Sequence, residues 1–405
     1  MTVGPACRGP AAGARWAWLG AAWRVLCSRA FDDGPGAGLT SMRKFLFALA
    51  VLVLAALAAF FFYLPKRVDA GMNGVAMKPP YAASDRARAL HQRLFVADLH
   101  DDALLWSRDL LERHDYGHAD LPRLEEGSVG LQVFATVTKS PRGQNFDSNP
   151  SDTDTITALA IAQRWPPRTW NSLLERALYQ SERLHAAAAA SGGRMQVVHT
   201  RAELEATLKD ARPGGGRLAA VLATEGLHPL EGRIENVDRM YDAGFRIMGL
   251  THFFDNEIGG SAHGMNKGGL TPLGKQVVKR LEEKKMIVDL AHASPRVVDD
   301  VLAQATRPVI VSHTGVQGTC PGPRNLSDKH IRGIAATGGL IGIGYFNGAV
   351  CALDIPAIVK AMRYTADLVG VQYVALGSDF DGATRTAIDT TGLVLITQAL
   401  LDARF

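Results

Sequence analysis

The stretch FVADLHDDALLW, residues 95–106, runs from an apolar segment straight into a cluster of ionisable side chains. Its first residues predict a buried strand, and Asp98, His100, Asp101 and Asp102 follow at once. Burying charged groups is costly unless they are paired or bind a metal, so a buried strand seldom ends in this way. The stretch therefore predicts a strand whose end carries chemistry.

Seven further apolar runs follow this one, separated by longer segments with helical spacing. Such alternation is typical of repeated βα units around a parallel sheet. Eight strands joined in this way predict an α/β fold of the (β/α)8 TIM-barrel type. The predicted strands are 94–99, 131–137, 218–224, 246–251, 286–291, 308–312, 339–344 and 373–378; helices are predicted at 271–285 and 294–305, and extra helices within 153–195.

Six of the eight predicted strands are followed by a histidine or a carboxylate. These residues are His100 and Asp102, Glu225, His252, His292, His313 and Asp379. In a barrel of this type the carboxyl ends of the strands meet on one face, where barrel enzymes carry their catalytic residues. The remaining histidines do not follow strands in this way, and we assign them structural roles: His91, His114, His118, His185, His199, His228, His263 and His330.

Imidazole and carboxylate donors together suit divalent metals such as zinc. We expect a centre with two zinc ions: His100 and Asp102 on one ion, His292 and His313 on the other, and Glu225 bridging them. Two neighbouring ions would share a water and lower its pKa enough to give hydroxide near neutral pH. Asp98 and Asp101 are expected to support the ligands from outside.

A hydrolase with such a centre also needs a proton shuttle and groups that bind the substrate. Asp379, at the end of the eighth strand, is expected to carry the proton. His252 is expected to polarise the carbonyl as the oxyanion forms, which makes both residues candidates for catalysis and for substrate binding. Arg324, in a loop after the sixth strand, suits a substrate carboxylate.

Residues 45–64 form an unbroken apolar run of about the length that spans a bilayer as a helix. Arg43 and Lys44 precede the run, which favours an N-terminus in the cytoplasm and a body outside it, in the periplasm or the extracellular space. We expect an uncleaved membrane anchor. Small residues near Ala70 leave open a cleaved signal peptide and a secreted protein.

The chain of 405 residues is expected to divide into four parts. Residues 1–41 have no clear pattern and are expected to be a non-native or disordered extension, 42–67 the signal anchor, 68–84 a linker and 85–405 the barrel. The barrel is expected to be truncated at its C-terminus, because the segment 392–404 reads as its last closing helix.

The net charge of +4 argues little about partners, because much of the positive excess lies in the first 70 residues. The body has no basic run interleaved with aromatic residues, so nucleic-acid binding is not expected. Cys320 and Cys351 lie in the body and could pair if it is exported, although their spacing alone does not decide this.

Several of these motifs resemble the membrane dipeptidases, also called renal dipeptidases, of the metallo-dependent amidohydrolase group. The matching stretches run in family order from about residue 90 to the end: DLHDD, ATEGLH, GLTHFFDN, GLTPLGKQVVKRLEEKKMIVDLAHAS, PVIVSHTG, PGPRNLSDKHI and GSDFDG. The resemblance implies dipeptide hydrolysis, the zinc ligands expected above, and substrate contacts at His252, Arg324 and Asp379. It also implies a disulfide between Cys320 and Cys351.

Other functions stay open from the sequence. The same residues would suit an N-acyl-amino-acid deacylase or another amidohydrolase that takes a carboxylate-bearing substrate. A membrane-anchored barrel that binds metal without turnover is a third alternative. The partners expected are a dipeptide and, through residues 45–64, a membrane; a homodimer is left open.

Overall fold

The computed structural model describes residues 37–209 and 216–405. The chain divides into two compact units, one ending at Ala59 and one running from Phe60 to Phe405. Of the extension predicted at residues 1–41, residues 1–36 lie outside the described part of the chain. The apolar helix α1 belongs to the first unit, and the remaining elements belong to the second.

The described α-helices form between the strands and at both ends of the body. In chain order they are α1 (Ala37–Ala58), α2 (Leu64–Met72), α3 (Asp85–His91), α4 (Leu121–Glu126), α5 (Ile156–Ala162), α6 (Leu173–Ala190), α7 (Arg201–Lys209), α8 (Asn236–Asp242), α9 (Pro272–Glu283), α10 (Pro295–Leu302), α11 (Asp328–Ala336), α12 (Asn347–Val350), α13 (Ile355–Val369) and α14 (Leu393–Asp402). Ser294 begins α10, since its side chain accepts a hydrogen bond from the Val297 N–H and Pro295 follows it.

The strands of the described residues are β1 (Val96–Asp101), β2 (Val129–Phe134), β3 (Met195–Val197), β4 (Leu218–Thr224), β5 (Phe245–Gly249), β6 (Ile287–Asp289), β7 (Val311–Thr314), β8 (Ile341–Ile343) and β9 (Val374–Leu376). Eight of them pair in the order β6-β5-β4-β2-β1-β9-β8-β7, and all their pairings are parallel. An isolated parallel bridge between Asp289 and Ile310 joins the two ends of this order. The predicted (β/α)8 barrel is confirmed.

Two details differ from the sequence prediction. His100 and His313 lie inside β1 and β7, not after them, because those strands end later than their apolar runs do. The short strand β3 was not predicted: it pairs only with β4, off the barrel path, and three residues carry too little pattern to stand out. Elsewhere the predicted strands overlap the observed ones.

The apolar residues of the body form two layers. A small cluster of strand side chains fills the inside of the barrel: Leu99, Val133, Ala135, Ala223, Ile247 and Ile310. A much larger cluster packs the outer face of the sheet against the surrounding helices. Because both faces of the parallel sheet are covered, its strands are apolar runs and not alternating patterns.

Within the described residues, Ser41–Met72 is long and apolar enough to cross a membrane, with a mean hydropathy of 2.9 over its most apolar window. A signal sequence near the N-terminus can meet the same criteria of length and composition. The segment 68–84, predicted to be a linker, packs on the barrel: Asp69 and Tyr81 are buried, and Val75 pairs with Thr386. This packing was not apparent from the sequence, because the partners of the segment lie far along the chain.

Candidate metal centre

The five expected ligands come together at the carboxyl end of the barrel, and all are buried. Glu225 lies at their centre: its Oε1 is 2.9 Å from His292 Nε2, 3.3 Å from His313 Nε2 and 3.6 Å from His100 Nε2. Asp102 Oδ2 lies 3.4 Å from His100 Nε2. The Glu225 carboxylate thus lies between the two expected pairs of donors, His100 with Asp102 and His292 with His313.

An irregularity in β1 helps to aim His100. Asp98 and Asp101 pair with Gln132 and Phe134, so β1 has one more residue than β2 over this stretch. Such a bulge changes the alternation of side chains along a strand and often lies beside an active site. It allows Leu99 to pack inside the barrel while the next residue, His100, reaches the cluster.

Two of the site residues have a strained backbone. His292 has φ 61° and Asp379 has φ 62°, in the left-handed region that residues other than glycine seldom adopt. Each such residue costs on the order of 1–3 kcal/mol and is retained where the surrounding structure requires it. The turns after β6 and β9 thus hold these side chains at a cost in stability.

Ser312, which was not among the expected site residues, contacts two of the expected ligands. Its hydroxyl lies 3.2 Å from His100 Nδ1 and 3.0 Å from His313 Nδ1. A contact to the far nitrogen fixes the ring and leaves Nε2 free for a metal. The signal was present, since Ser312 directly precedes His313, but only the fold brings His100 to the same hydroxyl.

Asp98 and Asp101, expected to support the ligands from outside, bind the backbone beside them. The Asp98 carboxylate accepts hydrogen bonds from the Ser378 N–H, at 2.8 Å, and from its hydroxyl, at 2.5 Å. The Asp101 carboxylate accepts one from the Ala103 N–H at 2.6 Å. Both side chains therefore hold the backbone around the expected ligands: the Ser378 hydroxyl that donates to Asp98 lies 2.9 Å from the His100 carbonyl.

A cavity of about 600 Å³ opens onto this cluster and is lined by His252, Arg324 and Asp379. Arg324 is buried, donates a hydrogen bond to the His313 carbonyl at 2.9 Å, and lies 5.4 Å from the Phe346 ring centre. Within the part of the chain that the structure describes, its guanidinium forms no salt bridge. A buried cation without a carboxylate partner suits an anionic group of a ligand.

The residues fit a bound metal. His100 Nε2, Asp102 Oδ1, His252 Nδ1 and His292 Nδ1 are buried without a hydrogen-bond partner in the described structure, and such orphaned atoms are uncommon in folded proteins. His292 Nε2 and His313 Nε2 lie 2.9 Å apart, close enough for both to bind one cation. Three donor sets are compact enough for an ion: His100–Asp102–Glu225, Glu225–His252–His292 and His100–His313–Asp379.

These donor sets overlap with the expected ligands and extend them. His252 Nε2 is 3.2 Å from Glu225 Oε2, and Asp379 groups with His100 and His313. Both residues, expected from the sequence to handle the substrate, thus lie among the donors that could hold a metal. His263, to which the sequence gave a structural role, is buried with its ring centre 5.3 Å from that of His292. It follows no strand, so no sequence signal distinguished it.

The cluster has a distinctive protonation pattern. Burial opposes the charged form of His100, but Asp102 and Glu225 outweigh this effect and raise its pKa to about 10. Burial lowers the pKa of His292 and of His313 well below the ordinary value. Burial raises the pKa of Glu225 well above its ordinary value. Without metal, the cluster therefore holds protons at neutral pH that a cation would displace.

Metal uptake should release protons and strengthen as the pH rises. A raised pKa of about 10 means that His100 is protonated at neutral pH and must lose its proton to bind a metal. The apparent affinity of the metal-free protein for Zn²⁺ should therefore increase about tenfold or more per pH unit between about pH 6 and 8. Titration against a competing chelator of known pH dependence measures this slope, and a flat profile would contradict it.

Asp379 has a pKa suited to proton transfer. Burial is the main cause of its shift; the Asp102 charge adds to it and His100 opposes it, and the pKa rises to about 7. A carboxyl group that titrates near neutral pH can accept a proton and return it in the same cycle. The raised pKa of Asp379 comes mainly from its burial in the cluster, which could not be inferred from the sequence.

Cys320 and Cys351 form a disulfide with their Cα atoms 5.5 Å apart. The bond joins the loop after β7 to the end of α12, next to the loop that carries Arg324. Asn325 strengthens the same junction, since its side chain donates to the carbonyls of Cys320 and Ala349.

Fold and site together define a class: a (β/α)8 barrel with a candidate metal centre at the carboxyl ends of its strands. The chain belongs to the membrane dipeptidase family, peptidase family M19, whose sequence model matches residues 84–404. It is thus a dipeptidase of a metallopeptidase family, as the motifs of the sequence implied.

Individual relatives agree with this membership. The dipeptidase aclJ of Aspergillus oryzae is 24% identical over 355 residues, which cover 83% of this chain and 78% of that protein. An uncharacterised protein of the pqqA 5′ region of Klebsiella pneumoniae is 32% identical over 207 residues, covering 48% of this chain and 74% of that protein. A metallopeptidase of Rhodobacter sphaeroides, solved with a phosphinate mimic of L-Ala-D-Ala, has the same fold: its TM-score is 0.62 at 23% identity, over 77% of this chain and 94% of that one.

Proposed function

We propose that this chain is a dipeptidase that uses two zinc ions, held by His100 and Asp102 on one side, by His292 and His313 on the other, and by Glu225 between them. The observation that supports this most directly is the position of the Glu225 carboxylate within 3.6 Å of three imidazole nitrogens. The bound ions would polarise the scissile carbonyl and lower the pKa of the attacking water.

The remaining residues of the cavity bind and orient the dipeptide. Arg324 receives the C-terminal carboxylate, since its buried guanidinium has donors to spare. His252, kept neutral because burial lowers its pKa, offers an N–H to the carbonyl oxygen as negative charge develops there. Asp379 accepts the proton of the water and returns it to the leaving amine. Recognition of a free carboxylate next to the reacting bond favours short substrates.

We also propose that residues 42–67 anchor the chain in a membrane with the body, 85–405, outside the cytoplasm. The apolar helix and the basic residues Arg43 and Lys44 before it support this orientation. The disulfide between Cys320 and Cys351 supports an oxidising compartment, because such bonds are rare in the cytosol.

The proposal is tested on the full chain purified in detergent, by elemental analysis and by rates on free dipeptides and on N-acetyl amino acids. We expect about two zinc ions per chain and hydrolysis of dipeptides in preference to N-acetyl amino acids. N-acetyl amino acids share the carboxylate and the amide bond, so the preference comes from the free α-amino group, which only the dipeptide offers to the carboxylates that line the cavity. Faster cleavage of N-acetyl amino acids would assign a deacylase, and metal without cleavage of either would assign a binding protein.

A further inference from the structure

Helix α2, Leu64–Met72, forms part of the wall of the substrate cavity. Val68 and Met72 line the cavity together with Asp102 and Asp379 of the metal centre. The two residues are four apart and so lie on the same face of the helix. The helix begins at Leu64, the last residue of the apolar run 45–64, and precedes the residues 84–404 that the family model matches. The wall is therefore built from a segment outside the matched barrel.

A buried ion pair holds α2 in this place. Asp69, next to Val68, lies 2.8 Å from Arg108 Nε, and both side chains are buried. Arg108 in turn lies 2.7 Å from Asp381, which follows Asp379 by two residues. The pair thus connects the helix to the loop that carries Asp379. A contact of this kind orients its partners, since a buried charge must keep its counter-charge.

The chain after α2 is attached to the same loop. Backbone N–H groups of Ala76 and Met77 donate to the carbonyls of Thr386 and Ala387, each at 2.9 Å. The helix is therefore held at both its centre and its C-terminal side. These attachments on both sides hold α2 in a fixed position, so the helix is a rigid part of the cavity wall.

The side chains around this wall are apolar. Val68 packs on the cluster that contains Leu105, Trp106 and Ile156, and all three also line the cavity. Met72 keeps 46% of its surface exposed in the described structure, so it has apolar area left to cover. Covering apolar surface favours binding, because it removes that surface from water. A substrate side chain that reaches this wall gains most if it is large and apolar.

We propose that Val68 and Met72 are specificity-determining residues that favour dipeptides with a large apolar side chain. This inference rests on the proposed dipeptidase function and deepens it by naming the substrate class. The selectivity comes from contact of the substrate side chain with α2, and Asp69 acts as a positioning residue that holds the helix through Arg108.

The test compares three full-length chains in detergent: the wild type, the double variant Val68→Ser/Met72→Ser, and Met77→Ser. Met77 is a matched control, because it is exposed to a similar extent, 41%, and does not line the cavity. We expect the double variant to lose about tenfold or more in kcat/KM for leucyl-leucine and to keep its kcat/KM for glycyl-glycine. Met77→Ser should match the wild type on both.

A second measurement detects the contact without turnover. In a chain with Cys7 and Cys27 replaced by serine, Met72→Cys should react with a maleimide more slowly when a phosphinate analogue of leucyl-leucine is bound. Met77→Cys should react at the same rate with and without the analogue. Equal protection of the two positions would overturn the proposed contact even if the double variant folded poorly.

The outcomes separate the two proposals. Suppose the wild type cleaves both dipeptides and the double variant has the same ratio of kcat/KM for leucyl-leucine to kcat/KM for glycyl-glycine. This result overturns the specificity proposal and leaves the dipeptidase proposal intact. A metal-loaded wild type that cleaves neither dipeptide overturns the dipeptidase, and the specificity proposal fails with it. If the ratio of kcat/KM for leucyl-leucine to kcat/KM for glycyl-glycine falls only in the double variant, both proposals are supported.

Discussion

Replacing Glu225 with glutamine is expected to slow dipeptide hydrolysis about a thousandfold or more and to release bound metal. The carboxylate lies between His100, His292 and His313, so its charge is proposed to hold both ions together. Metal ions contribute several kcal/mol to such reactions, and each ~1.4 kcal/mol is a factor of ten in rate. Glutamine keeps the size of the side chain but loses the charge.

The variant should nevertheless fold. Because burial raises the pKa of Glu225 well above its ordinary value, the ionised carboxylate is costly to bury in the metal-free protein. Removing it should leave the thermal midpoint of the metal-free chain equal or higher, as is common for functional residues. A loss of activity together with a loss of folding would instead indicate a structural role for Glu225.

The measurements are elemental analysis, dipeptide turnover and thermal unfolding of the metal-free chains. Glu235→Gln is the matched control, since the same chemical change is made on an exposed side chain outside the cavity. It should retain full metal content and rate. A Glu225→Gln chain with two bound ions and near-normal turnover would show that the ligands were assigned wrongly.

Replacing Arg108 with methionine is expected to lower the free energy of unfolding by about 3–5 kcal/mol. The guanidinium lies 2.8 Å from Asp69 and 2.7 Å from Asp381, and all three side chains are buried. Methionine fills most of the volume but leaves two carboxylates without their cation. A buried charge that loses its partner costs far more than an exposed one.

The loss of stability caused by Arg108→Met should depend on pH in a defined direction. Although burial opposes its ionisation, Arg108 and His118 hold the pKa of Asp381 below its ordinary value. A lowered pKa contributes stability above the unfolded value, near pH 4, that is lost as the pH falls further. The difference between wild type and Arg108→Met should therefore be largest near neutral pH and shrink below about pH 4.

Urea denaturation of the detergent-solubilised chains at several pH values measures this difference. Arg201→Met is the matched control, because Arg201 pairs with Glu205 on the exposed face of α7. It should leave the urea midpoint unchanged. An equal shift for Arg108→Met and Arg201→Met would mean that the buried pair contributes no more than a surface pair does.

The barrel and most of the candidate site could be predicted from the sequence. Short apolar runs between helical segments specify parallel βα units, and the carboxyl ends of parallel strands in a barrel always meet on one face. His100, Glu225 and His292 could therefore be grouped without any knowledge of their distances. The alternation of apolar runs and helical segments along the chain is a local signal, and it is enough to place these residues at strand ends.

The tertiary structure decided what those residues touch. Ser312 reaches both His100 and His313, and the pairs that Arg108 forms join parts of the chain that share no local pattern. The bulge in β1 and the left-handed turn at His292 likewise arise from packing around the site.

Helix α2 illustrates the difference most clearly. From the sequence, residues 68–84 read as a linker, because a short segment after an apolar run carries no periodic signal of its own. In the folded chain Asp69 is buried against Arg108, and Val68 and Met72 line the cavity beside the metal centre. The sequence by itself determined the barrel and the donors at its strand ends. Only the tertiary structure determined the wall they face, because contacts between distant segments depend on the packed fold and not on local spacing.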